Sequence, residues 1–134
     1  MRVITFGTFD VFHVGHVNIL ERARALGDEL YVGVSSDKLN YSKKGRPPIY
    51  SEHDRIRIID ALSCVDFVFL EESLEQKPDY IQQYHADILV MGDDWQGQFD
   101  ELSDLCQIKY LPRTPSISTT EIIEVVRHIE PEEE

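Results

Sequence analysis

Apolar residues along this chain fall into five short runs that are separated by segments of helical spacing. The runs are rich in β-branched and aromatic residues, which is typical of buried strands. They cover residues 2–6, 30–34, 65–70, 88–91 and 108–111. After the first run, apolar residues recur at helical intervals from Val14 to Leu26, and Gly27 then supplies a helix stop. A strand, a helix and a second strand in so few residues predict a parallel, right-handed βαβ unit.

Three further helices and one loop are predicted along the rest of the chain. Ser51, with Asp54 three residues later, predicts the capped start of a helix that continues to about Leu62. Residues 78–85 and 122–129 predict two more helices, the first with a proline in its opening turn. The polar, basic segment SKKGRPP at residues 42–48 predicts an irregular surface loop. We therefore expect an α/β fold with a doubly wound, parallel five-stranded sheet.

Length and net charge indicate the number of domains, the partners that are not expected and the location of the protein. With 134 residues, 42% of them hydrophobic, the chain predicts one globular domain at residues 1–129. The net charge is −12, and the acidic tail at residues 130–134, expected to be disordered, carries four of the negative charges. Such a chain is not expected to bind nucleic acid or an anionic membrane. No apolar run could cross a bilayer and no leader precedes the first strand, so we expect a cytoplasmic protein with reduced Cys64 and Cys106.

The first strand end carries a motif that suits a phosphate. His13 and His16 are three positions apart near a predicted helix start, so they lie on one face of that helix. The unpaired backbone N–H groups and the positive dipole end at a helix start favour an anion. Gly15 lacks a side chain and lets a phosphate approach the backbone.

A second anion site is predicted at the start of the last helix. Arg113 follows the fifth run, and three hydroxyl residues, 118–120, precede the helix. A cap requires only one hydroxyl, although a capping box from Ser118 to Glu121 is the structural alternative. The sequence contains no Walker A, Gly-x-Gly-x-x-Gly or Gly-x-Ser-x-Gly motif. What remains is a site that binds a triphosphate and stabilises charge, as phosphoryl-type transfer requires.

Three separated motifs carry a family resemblance. They are GTFD with HVGH in residues 7–16, MGDDW in residues 91–95 and RTPSISTT in residues 113–120. The chain resembles the nucleotidyltransferases with a His-x-Gly-His motif, and most closely the glycerol-3-phosphate cytidylyltransferases. The resemblance spans nearly the whole chain and implies a Rossmann-like nucleotidyltransferase fold and a homodimer. It also implies cytidylyl transfer from CTP to a sugar or polyol phosphate, above all sn-glycerol 3-phosphate, giving CDP-glycerol and pyrophosphate. Mg²⁺ is expected because it bridges phosphate oxygens, and its protein ligands are left unassigned.

The resemblance and the residue chemistry together assign roles to individual residues. The predicted catalytic residues are His13, His16, Lys44 and Arg113. The predicted nucleotide-binding residues are Thr8, Phe9, His13, Gly15, His16, Asp94, Arg113, Thr114, Ile117, Ser118, Thr119 and Thr120. The predicted acceptor-binding residues are Asp10, Lys43, Lys44, Arg55, Lys77 and Trp95.

Several of these assignments keep an alternative. Either Lys43 or Lys44 matches the functional lysine of the family's loop, and we favour Lys44. Arg55 fits a solvated helix arginine as well as it fits a phosphate ligand, and residue chemistry alone makes Lys77 an exposed lysine. Trp95 suits the core and a flat ligand-binding wall equally.

Two other functions stay open. Residues 46–49, together with Ala61-Leu62 before the third run, resemble adenylyltransferases that make FAD or a nucleotide-activated heptose. The other is a non-catalytic nucleotide-binding module that retains the fold.

One charged residue of the family is missing, because Ser63-Cys64 stands where several cytidylyltransferases have an arginine before the third apolar run.

Overall fold

The computed structural model describes residues 1–113 and 118–129. Its five strands are Arg2–Gly7 (β1), Glu29–Ser35 (β2), Phe67–Glu71 (β3), Ile88–Gly92 (β4) and Gln107–Leu111 (β5). All pair in parallel, in the order β3-β2-β1-β4-β5. The predicted parallel five-stranded sheet is therefore confirmed. The chain reverses its winding direction between β1 and β4, and ligands of such sheets bind in the crevice beyond the carboxyl ends of the strands at that point.

Helices cover both faces of the sheet. They are Val14–Arg24 (α1), Asp37–Lys44 (α2), Glu52–Asp60 (α3), Lys77–Gln83 (α4) and Thr119–His128 (α5). Leu20 of α1 and Ile59 of α3 pack with Val32 on one face, whereas Ile81 of α4 packs with Ile4 on the other. The sheet is thus doubly wound, as predicted. Within the part of the chain that the structure describes, no helix is long and apolar enough to span a membrane.

Two helix starts have side-chain caps, the predicted one at Ser51 and the one at Ser118 that was the alternative to an anion site. The Ser51 hydroxyl accepts a hydrogen bond from the Asp54 N–H at 3.3 Å, and the Ser118 hydroxyl accepts one from the Glu121 N–H at 3.1 Å. Each cap satisfies a backbone donor that would otherwise have no partner in the first turn. Both cysteines are free thiols, as expected.

One element differs from the prediction, because α2 occupies part of the segment that was assigned to an irregular loop. Ser36 caps its start by accepting the Leu39 N–H at 3.0 Å, and Leu39 is buried beneath the helix. Gly45 ends it in the left-handed region, at φ 71°, which glycine adopts without a steric cost. The high polarity of residues 42–44 therefore reflects the exposed last turn of a helix, and only residues 45–50 form the loop.

Some predicted features lie outside the described residues. They are the nucleotide contacts of Thr114 and Ile117 and the acidic tail at residues 130–134.

Candidate active site

A cleft at the carboxyl edge of the sheet brings half of the predicted nucleotide-binding residues together. It is a cavity of about 430 Å³, which we call the nucleotide cavity. Its walls come from the turn after β1, from α1, from the end of α2 and its following loop, from the turn after β4, and from α5. The predicted residues among these walls are Thr8, Phe9, Asp10, His16, Lys44, Asp94, Trp95, Thr119 and Thr120. His16 of the first predicted anion site and Thr119 and Thr120 of the second thus line one cavity.

The two histidines cap α1 with their own side chains. Nδ1 of His13 accepts the Gly15 N–H at 3.0 Å, and Nδ1 of His16 accepts the His13 N–H at 3.2 Å. The rings stack with centroids 3.9 Å apart, and Phe12 stacks on the other side of His16 at 5.3 Å. The Gly15 N–H that was predicted to meet a phosphate is thus engaged by the cap. Neither His13 nor Gly15 is among the cavity walls.

This geometry fixes the charge and tautomer of both imidazoles. A nitrogen that accepts a hydrogen bond carries no proton, so each neutral ring holds its proton on Nε2. Burial lowers the pKa of His16 to about 4, helped by neighbouring His13 and opposed by Asp10. Burial also lowers the pKa of His13. Both histidines are therefore neutral Nε2–H donors at neutral pH.

Asp10 performs a structural task that its predicted role as an acceptor ligand did not include. One carboxylate oxygen accepts the Ile49 N–H at 2.7 Å, and the other accepts the Tyr50 N–H at 2.8 Å. The Asp10 carbonyl accepts the Thr119 hydroxyl at 2.8 Å. Asp10 therefore ties the 45–50 loop and the start of α5 to the turn after β1. Asp10 remains a cavity wall, but both carboxylate oxygens are already used.

Arg55 also takes a different role from the one predicted. Its side chain is fully buried, with 0% of its surface exposed. Its guanidinium donates to the carbonyls of Tyr50, Thr8 and Ser35 at 3.0, 3.0 and 2.7 Å, and to the Asp37 carboxylate at 2.7 Å. Because these donors are used inside the protein, the geometry favours a scaffold role for Arg55, and its predicted acceptor contact stays a prediction. Arg55 holds the ends of β1 and β2 against the 45–50 loop.

A second, smaller cavity of about 240 Å³ adjoins the first, and we call it the acceptor cavity. It contains Lys43 and Lys44 from the end of α2, Lys77 from the start of α4, and Glu71 from the end of β3. Both candidate lysines of the loop region therefore lie at the site, but only Lys44 lines both cavities. Lys77 is 2% exposed, so it is not the surface lysine that residue chemistry alone suggested.

Glu71 and Lys77 form a buried ion pair inside this cavity. Both side chains are about 2% exposed, and the Lys77 ammonium also lies 4.7 Å from the ring centre of Phe6. Burial raises the pKa of Glu71, opposed by Lys77 and Lys43, and lowers the pKa of Lys77, opposed by Glu71. Each charged group stabilises the charged form of the other, because the ammonium donates a hydrogen bond directly to the carboxylate. A buried cation is thus held at the cavity wall.

The two cavities meet at common walls. Gly7, Thr8, Lys44 and Trp95 line both of them. Trp95 is half-buried and packs against Phe99, with ring centroids 5.5 Å apart, so it serves both as a wall and as a packing residue. A ligand group in one cavity can therefore contact a group in the other across the Thr8 and Lys44 boundary.

The second helix start contributes less than the sequence suggested. Ser118 uses its hydroxyl as the α5 cap, and Thr119, although it lines the nucleotide cavity together with Thr120, donates its hydroxyl to the Asp10 carbonyl. Arg113 follows β5 at the same sheet edge and is exposed, but it is not a wall of either cavity. Its predicted phosphate contact stays a prediction.

Several wall residues were missed by sequence reasoning. They are Asn40, Glu71, Ile123 and Arg127. Glu71 directly follows the apolar run at residues 65–70, so the strand-end argument that singled out Asp94 could have found it. Asn40 is 1% exposed and accepts the Thr8 hydroxyl at 2.8 Å, a contact between positions 32 residues apart that no local pattern indicates.

Comparisons with known proteins agree with this geometry. Residues 4–125 match the cytidylyltransferase-like family model. The chain is 46% identical to the glycerol-3-phosphate cytidylyltransferase of Bacillus subtilis (strain 168), over 93% of this chain and 96% of that one. It is 32% identical to an FAD synthase of Pyrococcus horikoshii, over 96% of this chain and 94% of that one.

A solved structure extends the agreement to three dimensions. A lipopolysaccharide core biosynthesis protein from Thermoplasma volcanium superimposes with a TM-score of 0.75 at 27% identity, covering 85% of this chain and 98% of that one. The Rossmann-like nucleotidyltransferase fold that the resemblance implied is therefore present. From its sequence match, its sheet order and the cavities at its carboxyl edge, the chain belongs to the cytidylyltransferase-like family.

Proposed function

We propose that this protein transfers the cytidylyl group of CTP to sn-glycerol 3-phosphate, giving CDP-glycerol and pyrophosphate. One observation carries the proposal: a nucleotide-sized cavity and a small, lysine-rich cavity share a boundary at the carboxyl edge of the sheet. The likeness to the enzyme from Bacillus subtilis supports the choice of both substrates.

The nucleotide cavity has donors suited to a triphosphate. His16 offers a neutral Nε2–H, Thr120 offers a hydroxyl and Arg46 offers a guanidinium. Positioned donors of this kind stabilise negative charge that develops in a transition state, because they need no reorganisation during the reaction. Asp94 is an exposed carboxylate on the same wall and is suited to hydroxyl or amino groups of the nucleoside.

The acceptor cavity suits a small phosphorylated polyol. Lys43, Lys44 and Lys77 carry three positive charges and Glu71 carries one negative charge, which leaves a net charge of about +2. A phosphate monoester carries a charge of about −1.5 to −2 at neutral pH, so the charges are complementary.

The chemistry follows from the shared boundary. An oxygen of the acceptor phosphate attacks the α-phosphorus of CTP, and the bond from this phosphorus to the bridging oxygen breaks. Pyrophosphate leaves with the electron pair, and no covalent enzyme intermediate forms. Lys44 lies between the two reacting phosphates and offsets their mutual repulsion, while His16 donates to the oxygens on which charge accumulates. The protein thus acts by positioning and by stabilising charge.

We also expect Mg²⁺, the homodimer and a cytoplasmic location, each as a proposal. Among the described residues, no group of three or more His, Cys, Asp or Glu side chains could hold a metal ion. Mg²⁺ commonly binds through substrate phosphates and one or two carboxylates, and Asp94 is the carboxylate available for this at the nucleotide cavity. Bound there, the ion would neutralise phosphate charge. Sedimentation velocity of the purified protein tests the dimer.

A pyrophosphate-release assay across substrates tests the proposed function. CTP, ATP, GTP and UTP would each be paired with sn-glycerol 3-phosphate, glycerol, a heptose phosphate and FMN. We expect turnover with CTP and sn-glycerol 3-phosphate, and mass spectrometry should find CDP-glycerol. Turnover confined to ATP with FMN or a heptose phosphate would replace the proposal with adenylyl transfer. CTP binding without turnover for any acceptor would favour the non-catalytic module.

A further inference from the structure

A buried carboxylate is an unexpected group in a cavity that takes a phosphate. Glu71 is 2% exposed and lines the acceptor cavity beside three lysines. By its charge alone, it repels the proposed acceptor. The carboxylate must therefore contribute something else for the site to work.

The neighbours of Glu71 indicate what that contribution is. Its carboxylate is paired with the Lys77 ammonium, which is itself 2% exposed. Burial and nearby positive charge both lower the pKa of a lysine. Burial lowers the pKa of Lys77 and of Lys43, and Glu71 opposes both shifts. One carboxylate thus acts as the counter-charge for two lysines.

No other titratable group of the cavity wall can replace it. Besides Lys43, the end of α2 contributes Lys44, whose positive charge further lowers the pKa of Lys43. The remaining walls do not titrate at any moderate pH; they are Phe6, Gly7, Thr8, Ser35, Leu74, Met91 and Trp95. Among the described residues that line this cavity, Glu71 is the only acid.

We propose that Glu71 is a positioning residue for the acceptor: its carboxylate keeps Lys77 and Lys43 charged and holds the Lys77 ammonium in place before the phosphate arrives. This inference rests on the proposed function of the cavity. Without the carboxylate, the lysines would lose protons as the pH rises, and the cavity would bind a dianionic phosphate weakly. The carboxylate therefore favours acceptor binding, although the direct interaction of the two anions is repulsive.

Glu71→Gln tests the inference, because it removes the charge and keeps the shape. We expect the KM for sn-glycerol 3-phosphate to rise about tenfold or more, as loss of a charged interaction usually costs. The KM for CTP should stay within about twofold of the wild-type value, since Glu71 lines only the acceptor cavity. The acceptor KM of the variant should worsen further between about pH 7 and about pH 9.5, whereas that of the wild type should stay nearly constant.

Two further variants make the outcome decisive. Glu72→Gln removes the same charge from the exposed neighbouring residue, which lines neither cavity, and should behave like the wild type. Glu71→Asp keeps the charge but shortens the reach, so its acceptor KM should rise less and without the added loss at high pH. If Glu71→Gln does not fold, Glu71→Asp alone must still raise the acceptor KM and leave the KM for CTP unchanged.

An acceptor KM that is unaffected in both Glu71 variants would overturn the inference. An equal loss for both substrates at every pH would overturn it as well, because that result indicates only a damaged fold. Absence of turnover with sn-glycerol 3-phosphate in the wild type would instead refute the proposed function, so the two failures are distinguishable.

Discussion

Replacing Arg55 with methionine is expected to destabilise the fold, and this distinguishes a scaffold role from a substrate-binding one. The guanidinium makes four hydrogen bonds, to three carbonyls and one carboxylate, and is completely buried. A buried acceptor that loses its donor costs free energy, because water cannot replace the bond. Methionine fills similar space and donates no hydrogen bond, so the variant isolates the polar contribution.

The magnitude follows from counting the acceptors that have no substitute. The Ser35 carbonyl keeps a contact from the Asn40 amide at 3.3 Å, and the Asp37 carboxylate is 36% exposed and can be hydrated. The carbonyls of Thr8 and Tyr50 lose their donor. Two bonds from a charged group, at about 1.5 kcal/mol each, give about 3 kcal/mol. With an unfolding entropy of about 0.28 kcal/mol/K for a chain of this length, Tm should fall by roughly 10 °C.

Urea and thermal unfolding followed by circular dichroism measure this loss. Arg57→Met, on an exposed position of the same helix, is the matched control and should change the free energy of unfolding by less than about 0.5 kcal/mol. A substrate-binding Arg55 predicts the opposite pattern, namely wild-type stability with a raised KM for the acceptor. Wild-type unfolding of Arg55→Met would therefore refute the scaffold role.

Three further predictions concern the site itself. His16→Ala should lower kcat by about a hundredfold or more, whereas His16→Gln, which keeps a neutral donor, should lose less; equal losses in a kinetic assay would contradict the donor role. The pKa of His16 is about 4 in the folded protein and about 6.5 in the unfolded chain, so protonation favours unfolding. The free energy of unfolding, measured by urea titration, should therefore fall as the pH decreases from about 6.5 to about 4. His16→Gln should reduce this pH dependence. Asp10→Asn places an N–H donor against a backbone N–H and so weakens the hydrogen bonds that hold the 45–50 loop. Trypsin should therefore cleave after Lys44 faster in this variant than in the exposed control Asp60→Asn. Equal cleavage rates would argue against the role of Asp10 in holding the loop. Lys43→Ala should raise only the acceptor KM, while Lys44→Ala should also lower kcat; indistinguishable kinetics would remove the assigned boundary role of Lys44.

The sequence by itself determined the sheet and the edge at which the site lies. Apolar runs specify buried strands because burial of both faces requires nearly continuous apolar side chains. Parallel strands place all their carboxyl ends at one edge, so polar residues that follow those runs, such as His16 and Asp94, were expected to meet there and do. Local capping signals are also sequence-encoded, as the caps of α3 and α5 confirm. The α2 segment was misjudged because its charged last turn concealed a short buried face.

Only the tertiary structure decided what the charged and polar groups do. Asp10 and Arg55 were assigned to the substrate by family resemblance. In the structure, Asp10 binds backbone about 40 positions away and Arg55 binds a carbonyl 47 positions away. The neutral state of His16 likewise depends on its burial among neighbouring rings, and the charge of Lys77 depends on Glu71. The physical reason is that electrostatic energies are set by distance and solvent exposure, which the fold alone supplies. The type of a side chain indicates its formal charge and its hydrogen-bond donors, but not the partners to which it binds in the folded protein.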